Sequence, residues 1–197
     1  MNRISTTLRQ DLPALPPRMR NLPVNGEGYP VPFVCAWIDG EPNFSVADPR
    51  KLAACHDQRW CSVCGEPLGQ YKAFVLDSVA TVTRTATEPP AHIDCARFAA
   101  AALSRAIVTL VWVTRGYSLE RVEGRTIFRI GEPEQTFWYA SGRRANRQEV
   151  MESVQAATPL LYEIAHKHGE AAVMELDMKV ARATKYFPKH AAFADHA

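Results

Sequence analysis

The hydrophobic pattern changes period along the chain. Residues 33–38 form an apolar run of strand length, stopped by Asp39-Gly40, with Glu41-Pro42-Asn43 continuing the turn. A short helix is predicted around residues 49–55, where Pro49 suits a first helical position. Residues 71–76 and 79–84 are two strand-like runs that Asp77-Ser78 would join as a hairpin. Residues 92–105 are alanine-rich and predict a helix entered just after Pro89-Pro90. The β-branched stretch 107–114 predicts a strand, and 126–130 and 136–139 predict two more, linked by Gly131-Glu132-Pro133-Glu134.

From Asn146 onward the period becomes helical. Val150, Val154, Leu161, Ile164 and Ala165 mark one face, with Ala157 or Thr158 filling its gap. Pro159 would either open a shorter helix or kink a long one. Gly169 ends this segment. A second helix is expected from about 170 to 187, burying Val173, Leu176, Val180 and Phe187. At the other end, Pro13, Pro16, Pro17, Pro23 and Pro30 rule out a long helix and predict an arm lying across the domain or a loose tail. The expected organisation is a proline-rich arm over 1–30, an α+β domain over 31–145, and C-terminal helices over 146–190 packed on that domain. The fold class is α+β, with a small antiparallel sheet.

Composition narrows the function classes. At 197 residues and 47% hydrophobic content, the chain can bury a core and is too apolar for wholesale disorder. Its net charge is +2, divided as +1, zero and +1 over residues 1–60, 61–140 and 141–197. Any nucleic-acid site must therefore be a local patch. The most apolar window, 98–113, is interrupted by Arg105 and is too short to span a membrane. No secretory signal is visible, so a cytoplasmic location is expected.

The strongest chemical motif is Cys61-x2-Cys64, a 27-residue spacer, then His92-x2-Cys95. Two cysteines separated by two residues converge from a tight knuckle, which Gly65 allows the backbone to close. Residues three apart in a first helical turn share a face, so His92 and Cys95 can meet the same ion. Three thiolates and one imidazole make a tetrahedral Zn2+ set of structural type. The five cysteines leave Cys35, expected as a small buried hydrophobe, and Cys55, which with His56 is an alternative ligand source. A thioredoxin-like pair would need a helix after Cys64, which Gly65-Glu66-Pro67-Leu68-Gly69 opposes. A deaminase would need His-x-Glu upstream, but His56 is followed by Asp57-Gln58. A nuclease would need a histidine base, and the spacer has none, although Asp77, Glu88 and Asp94 offer carboxylates.

Knuckle, hairpin and first-turn ligands together look like a treble-clef module. Three further stretches extend the pattern: Phe33-Val34-Cys35-Ala36-Trp37 with Asp39-Gly40, Glu88-Pro89-Pro90-x-His92-x2-Cys95-Ala96, and Gly142-Arg143-x-Ala145. The whole resembles a group of small bacterial and phage-associated zinc-binding proteins over residues 31–187. That resemblance implies a zinc-supported fold and a phage or mobile-element origin, and it supplies no catalytic residue. The chain departs from the group at Ala101-Ala102-Leu103, where a further Cys-Pro pair is usual.

Outside the metal motif, Arg143, Arg144 and Arg147 follow Trp138-Tyr139 at a predicted helix start, a candidate phosphate or nucleic-acid site. Arg84, Arg97 and Arg105 could extend the patch. Trp37, Trp60 and Trp112 are expected as core aromatics, with Trp60 shielding the knuckle. The functional expectation is a non-enzymatic recognition protein, its partner a protein or nucleic acid. The alternative is a metal-dependent nuclease.

Overall fold

The computed structural model describes residues 7–104, 107–122 and 124–189. Its centre is an antiparallel sheet of four strands: β3 (Lys72–Leu76), β5 (Thr109–Thr114), β8 (Pro133–Ala140) and β9 (Arg143–Arg144), in the order β3-β5-β8-β9. All six residues of β5 are buried. Because side chains alternate across a sheet, Leu110 and Trp112 enter one core while Val111 and Val113 enter another. Strand β8 divides in the same way: Trp138 and Ala140 serve the first core, Phe137 and Tyr139 the second.

The first core is covered by α2 (Ser78–Thr83), α4 (Arg147–His168) and α5 (Glu170–Ala183). A three-stranded sheet joins it, ordered β4 (Thr85–Ala86), β7 (Arg125–Ile130), β6 (Tyr117–Val122). The second core lies under α3 (Ile93–Ala102) and holds Cys61 and Cys95. The arm closes it: Met19 is 1% exposed, and Leu12, Leu15 and Leu22 pack alongside. Of the two arrangements open to this segment, its described part therefore lies across the protein. A separate hairpin of β1 (Cys35–Ile38) and β2 (Glu41–Ala47) is followed by α1 (Pro49–Gln58).

Several elements differ from the sequence expectation. Residues 79–84 are not a strand. Asp77 accepts from the backbone N–H of Ala80 at 2.7 Å and starts a helix, and Arg84 ends it at φ 56°. Val79, Thr81, Val82 and Thr83 suggest β structure by type, yet the cap and the burial of Val82 override that preference. The predicted hairpin between the two ligand pairs is thus a strand followed by a helix.

Glu41-Pro42-Asn43 is not turn but strand. Asp39 and Gly40 have φ of 52° and 83°, the doubly left-handed geometry of a tight two-residue hairpin turn. Strand β6 went unpredicted because most of its side chains are exposed and give no apolar alternation. Helix α4 runs through Pro159 without a break. Ile164, expected inside, is 47% exposed. Helix α5 ends at Ala183, and Phe187 is buried beyond it, edge-on to Trp138 at 6.0 Å.

Candidate metal centre

The site is assembled from two backbone devices. Cys61-Ser62-Val63-Cys64-Gly65 forms the knuckle: Gly65 donates its N–H to the Cys61 carbonyl at 2.9 Å, and Cys61 donates to the Glu66 carbonyl at 2.8 Å. Gly65 has φ 77°, and a Cβ there would stand 2.8 Å from the Phe33 ring, so two separate constraints demand glycine. The second device is a clamp. Ala91 and Ala73 exchange N–H···O bonds of 2.8 and 2.9 Å, and Ser62 donates to the Pro90 carbonyl at 3.1 Å. The Pro-Pro segment is thereby tied to β3 and to the knuckle, and His92 becomes the residue that caps α3. Cys95 follows in its first turn.

The ligand atoms of Cys61, Cys64, His92 and Cys95 lie within 4.8 Å of one another. Cys61 and Cys95 are buried, while Cys64 and His92 are half-buried. His92 Nε2 faces the Pro67 carbonyl at 3.0 Å and Nδ1 faces Cys64 Sγ at 3.4 Å. The carbonyl only accepts, so Nε2–H donates to it and Nδ1 is the ring atom that faces the cluster. The backbone N–H groups of Cys64 and His92 both approach Cys61 Sγ at 3.4 Å. Such donors stabilise sulfur charge.

The electrostatics follow from that convergence. Hydrogen bonds from Cys64 and then Cys95 push the Cys61 thiol far below its ordinary range. Cys95, donating to Cys61 and Cys64, is pushed up. Bonds to Cys61 and Cys64 raise His92 to about 10. This donor set fits a divalent ion: three sulfurs and one nitrogen from four directions, with backbone donors behind one sulfur and a carbonyl behind the ring.

Neither alternative ligand belongs to the cluster. Cys55 is not among the converging ligands, and burial pushes its thiol up to about 12. His56 packs edge-on against Phe128 at 5.0 Å, and burial lowers its pKa. Cys35 is 4% exposed, as expected of a small hydrophobe. Trp60 is half-buried and touches Phe33 edge-on at 5.9 Å, so it covers the knuckle through the ring that meets Gly65.

Three contributors were not foreseen. Pro67 supplies the carbonyl that orients His92. Phe33 fills the space beside Gly65. Arg18 of the arm reaches both Glu66 and Asp94 at 3.3 Å, bridging the knuckle and α3. None leaves a sequence signal, since each acts through a contact between distant segments.

The residues of the candidate arginine site have separate partners. Trp138 is 2% exposed and gives its indole N–H to the Tyr186 carbonyl at 2.8 Å, so it presents no face to a base. Arg143 is held by Glu149 at 2.6 and 3.0 Å. Arg147 donates to the Pro188 carbonyl and covers Phe187. Arg144 and Arg97 stack instead on Phe137, in the second core, at 5.1 and 4.8 Å. Arg105 lies outside the described residues. Among the described residues, no helix is long and apolar enough to cross a membrane. Compared with family models, curated proteins and solved structures, the chain matches none.

Proposed function

We propose that the cluster binds Zn2+ and that the chain is a non-enzymatic, zinc-stabilised recognition protein with a protein or nucleic-acid partner. The carrying observation is the donor set itself: three cysteines and one histidine converge within 4.8 Å. Zinc favours this mixture of soft sulfur and imidazole, and four protein donors leave no position for a reactive water. The site joins the knuckle to the start of α3 with no open ligand position, so its role is structural.

Two of the three carboxylates a nuclease would recruit, Asp77 and Asp94, are already engaged. Asp77 caps α2, and Asp94 accepts from the Cys95 N–H at 3.0 Å and meets Arg18. A knuckle plus two first-turn helix ligands is the ligand supply of a treble clef, here with β3, α2 and β4 between the pairs. The motif resemblance supports a bacterial or phage source, and five free thiols suit the reducing cytoplasm.

Elemental analysis of the purified chain is expected to give one zinc per molecule, and none would remove the basis of this assignment. Labelled DNA and RNA incubated with magnesium or manganese are expected to stay intact. Turnover that disappears in Asp77→Asn or Asp94→Asn would favour the nuclease.

A further inference from the structure

The chain's net charge is only +2, yet four of its cations converge on one recess. The recess measures about 220 Å³ and lies between the end of α2, strand β7 and the last turns of α5. Arg84, Arg129, Lys179 and Arg182 line it, with Thr83 and Tyr186. Val82, Ile130 and Ala183 at its wall belong to the first core, so the recess lies across the sheet from the metal cluster.

Four separate segments build it. Arg84 is set by its left-handed backbone and by the Trp112 ring, 5.4 Å from its guanidinium. It also donates to the Ile130 carbonyl at 3.1 Å and to Glu132 at 2.6 Å, and its side chain is 18% exposed. Lys179 and Arg182 are three residues apart on α5 and share a face. Arg129 pairs with Glu120 and Lys179 with Glu175. Among the described residues no carboxylate lines the recess, although Glu132 at its edge also accepts from the Tyr186 hydroxyl at 2.7 Å. The Arg182 side chain has no hydrogen bond or ion pair among the described residues, although Glu132 feels its charge. Donors from Arg182, Arg129 and Lys179 are therefore left over around a space lined by positive charge.

We propose that this recess binds a phosphate group, as inorganic phosphate or as a phosphomonoester. Tetrahedral oxyanions accept hydrogen bonds from several directions at once, which matches guanidinium and ammonium groups arriving from separate elements. A concave wall of one charge sign also concentrates counter-ions. The ordinary alternative is that these cations only neutralise the C-terminal ends of α2 and α5. That alternative gives no phosphate affinity.

Calorimetry on the zinc-loaded full chain at low salt separates the two. Inorganic phosphate, AMP, and a short oligothymidylate with and without a 5′-phosphate are the probes. Saturable binding is expected, weakened about tenfold or more by Arg182→Ala and by Lys179→Ala and unchanged by Arg143→Ala. Arg182→Ala breaks no pair, so its thermal midpoint should match wild type and show that the fold is intact. Tighter binding of AMP than of phosphate identifies a monoester ligand, equal binding identifies phosphate itself, and either upholds the site. No binding of phosphate or AMP at about 10 mM overturns it. So does binding indifferent to both α5 substitutions, or oligonucleotide binding that ignores the 5′-phosphate.

Discussion

On one face of β5, Leu110 and Trp112 meet Phe74, Phe128 and Trp138 beneath α4 and α5. On the other, Val111 and Val113 meet Ala96, Ala99, Ala100 and the cysteines beneath α3. The two faces share a sheet and bury different amounts of apolar surface per residue. A buried aromatic ring removes 150–250 Å² from water, whereas an alanine contributes little beyond one methyl. The α3 face also buries Phe98 and Tyr139, but its small alanines let α3 approach the sheet closely, and the four converging ligands and the arm around Met19 tie that side together. One sheet thus carries a core rich in aromatic rings and a core that contains the metal-ligand cluster.

Removing the metal tests this contrast with the largest effect. Structural zinc sites contribute on the order of 10–16 kcal/mol in small zinc domains, and the ligands gain it only when folded. Chelation, or Cys61→Ser, is expected to melt the α3 side while Trp138 fluorescence keeps a native spectrum to higher temperature. Loss of both signals together would merge the two cores into one cooperative unit, and no change after complete chelation would break the comparison. Acid should act in the same direction. The metal competes with protons for the Cys95 thiol and for His92, both pushed up in the metal-free cluster, His92 to about 10, so apparent affinity rises with pH toward that value and falls on acidification. Zinc release followed by a colorimetric chelator between pH 8 and pH 5 reads it.

Trp112→Ala is expected to cost about 3–5 kcal/mol in denaturant unfolding, with zinc content retained if the faces are separable. Gly65→Ala should cost about 1–3 kcal/mol, because its left-handed backbone and the nearby Phe33 ring both resist a methyl. That loss should appear as weaker zinc affinity, and unaltered affinity would show that the knuckle tolerates the change. Asp77→Ala should have the smallest effect, about 1 kcal/mol from loss of the α2 cap, with no change in zinc affinity.

The metal ligands were legible in the sequence because their geometry is local. The two-residue gap from Cys61 to Cys64 closes a knuckle, and the gap from His92 to Cys95 is nearly one helical turn. Asn146 and Gly169 marked α4 for the same reason: a capping box with Glu149 and a glycine at φ 95° are short-range devices. Residues 79–84 misled because side-chain type favours β structure there, while the choice rests on a cap and on what Val82 packs against. Strand β6 was silent because an exposed edge needs no apolar pattern. The arginines near 143–147 looked like a cluster because they are adjacent in sequence. The fold sends Arg144 into one core and ties the others to Glu149 and Pro188.

The sequence by itself determined the α+β class, the central strands, the two long helices and the four ligands that could meet an ion. Each depends on periodicity or on spacing within a few residues, where covalent geometry limits the outcomes. Only the tertiary structure decided that Pro67 orients His92, that Arg18 bridges Glu66 and Asp94, and that Arg84, Arg129, Lys179 and Arg182 face one recess. These are meetings of segments distant along the chain. No local rule encodes them, because they arise from which faces the sheet and helices bury against each other.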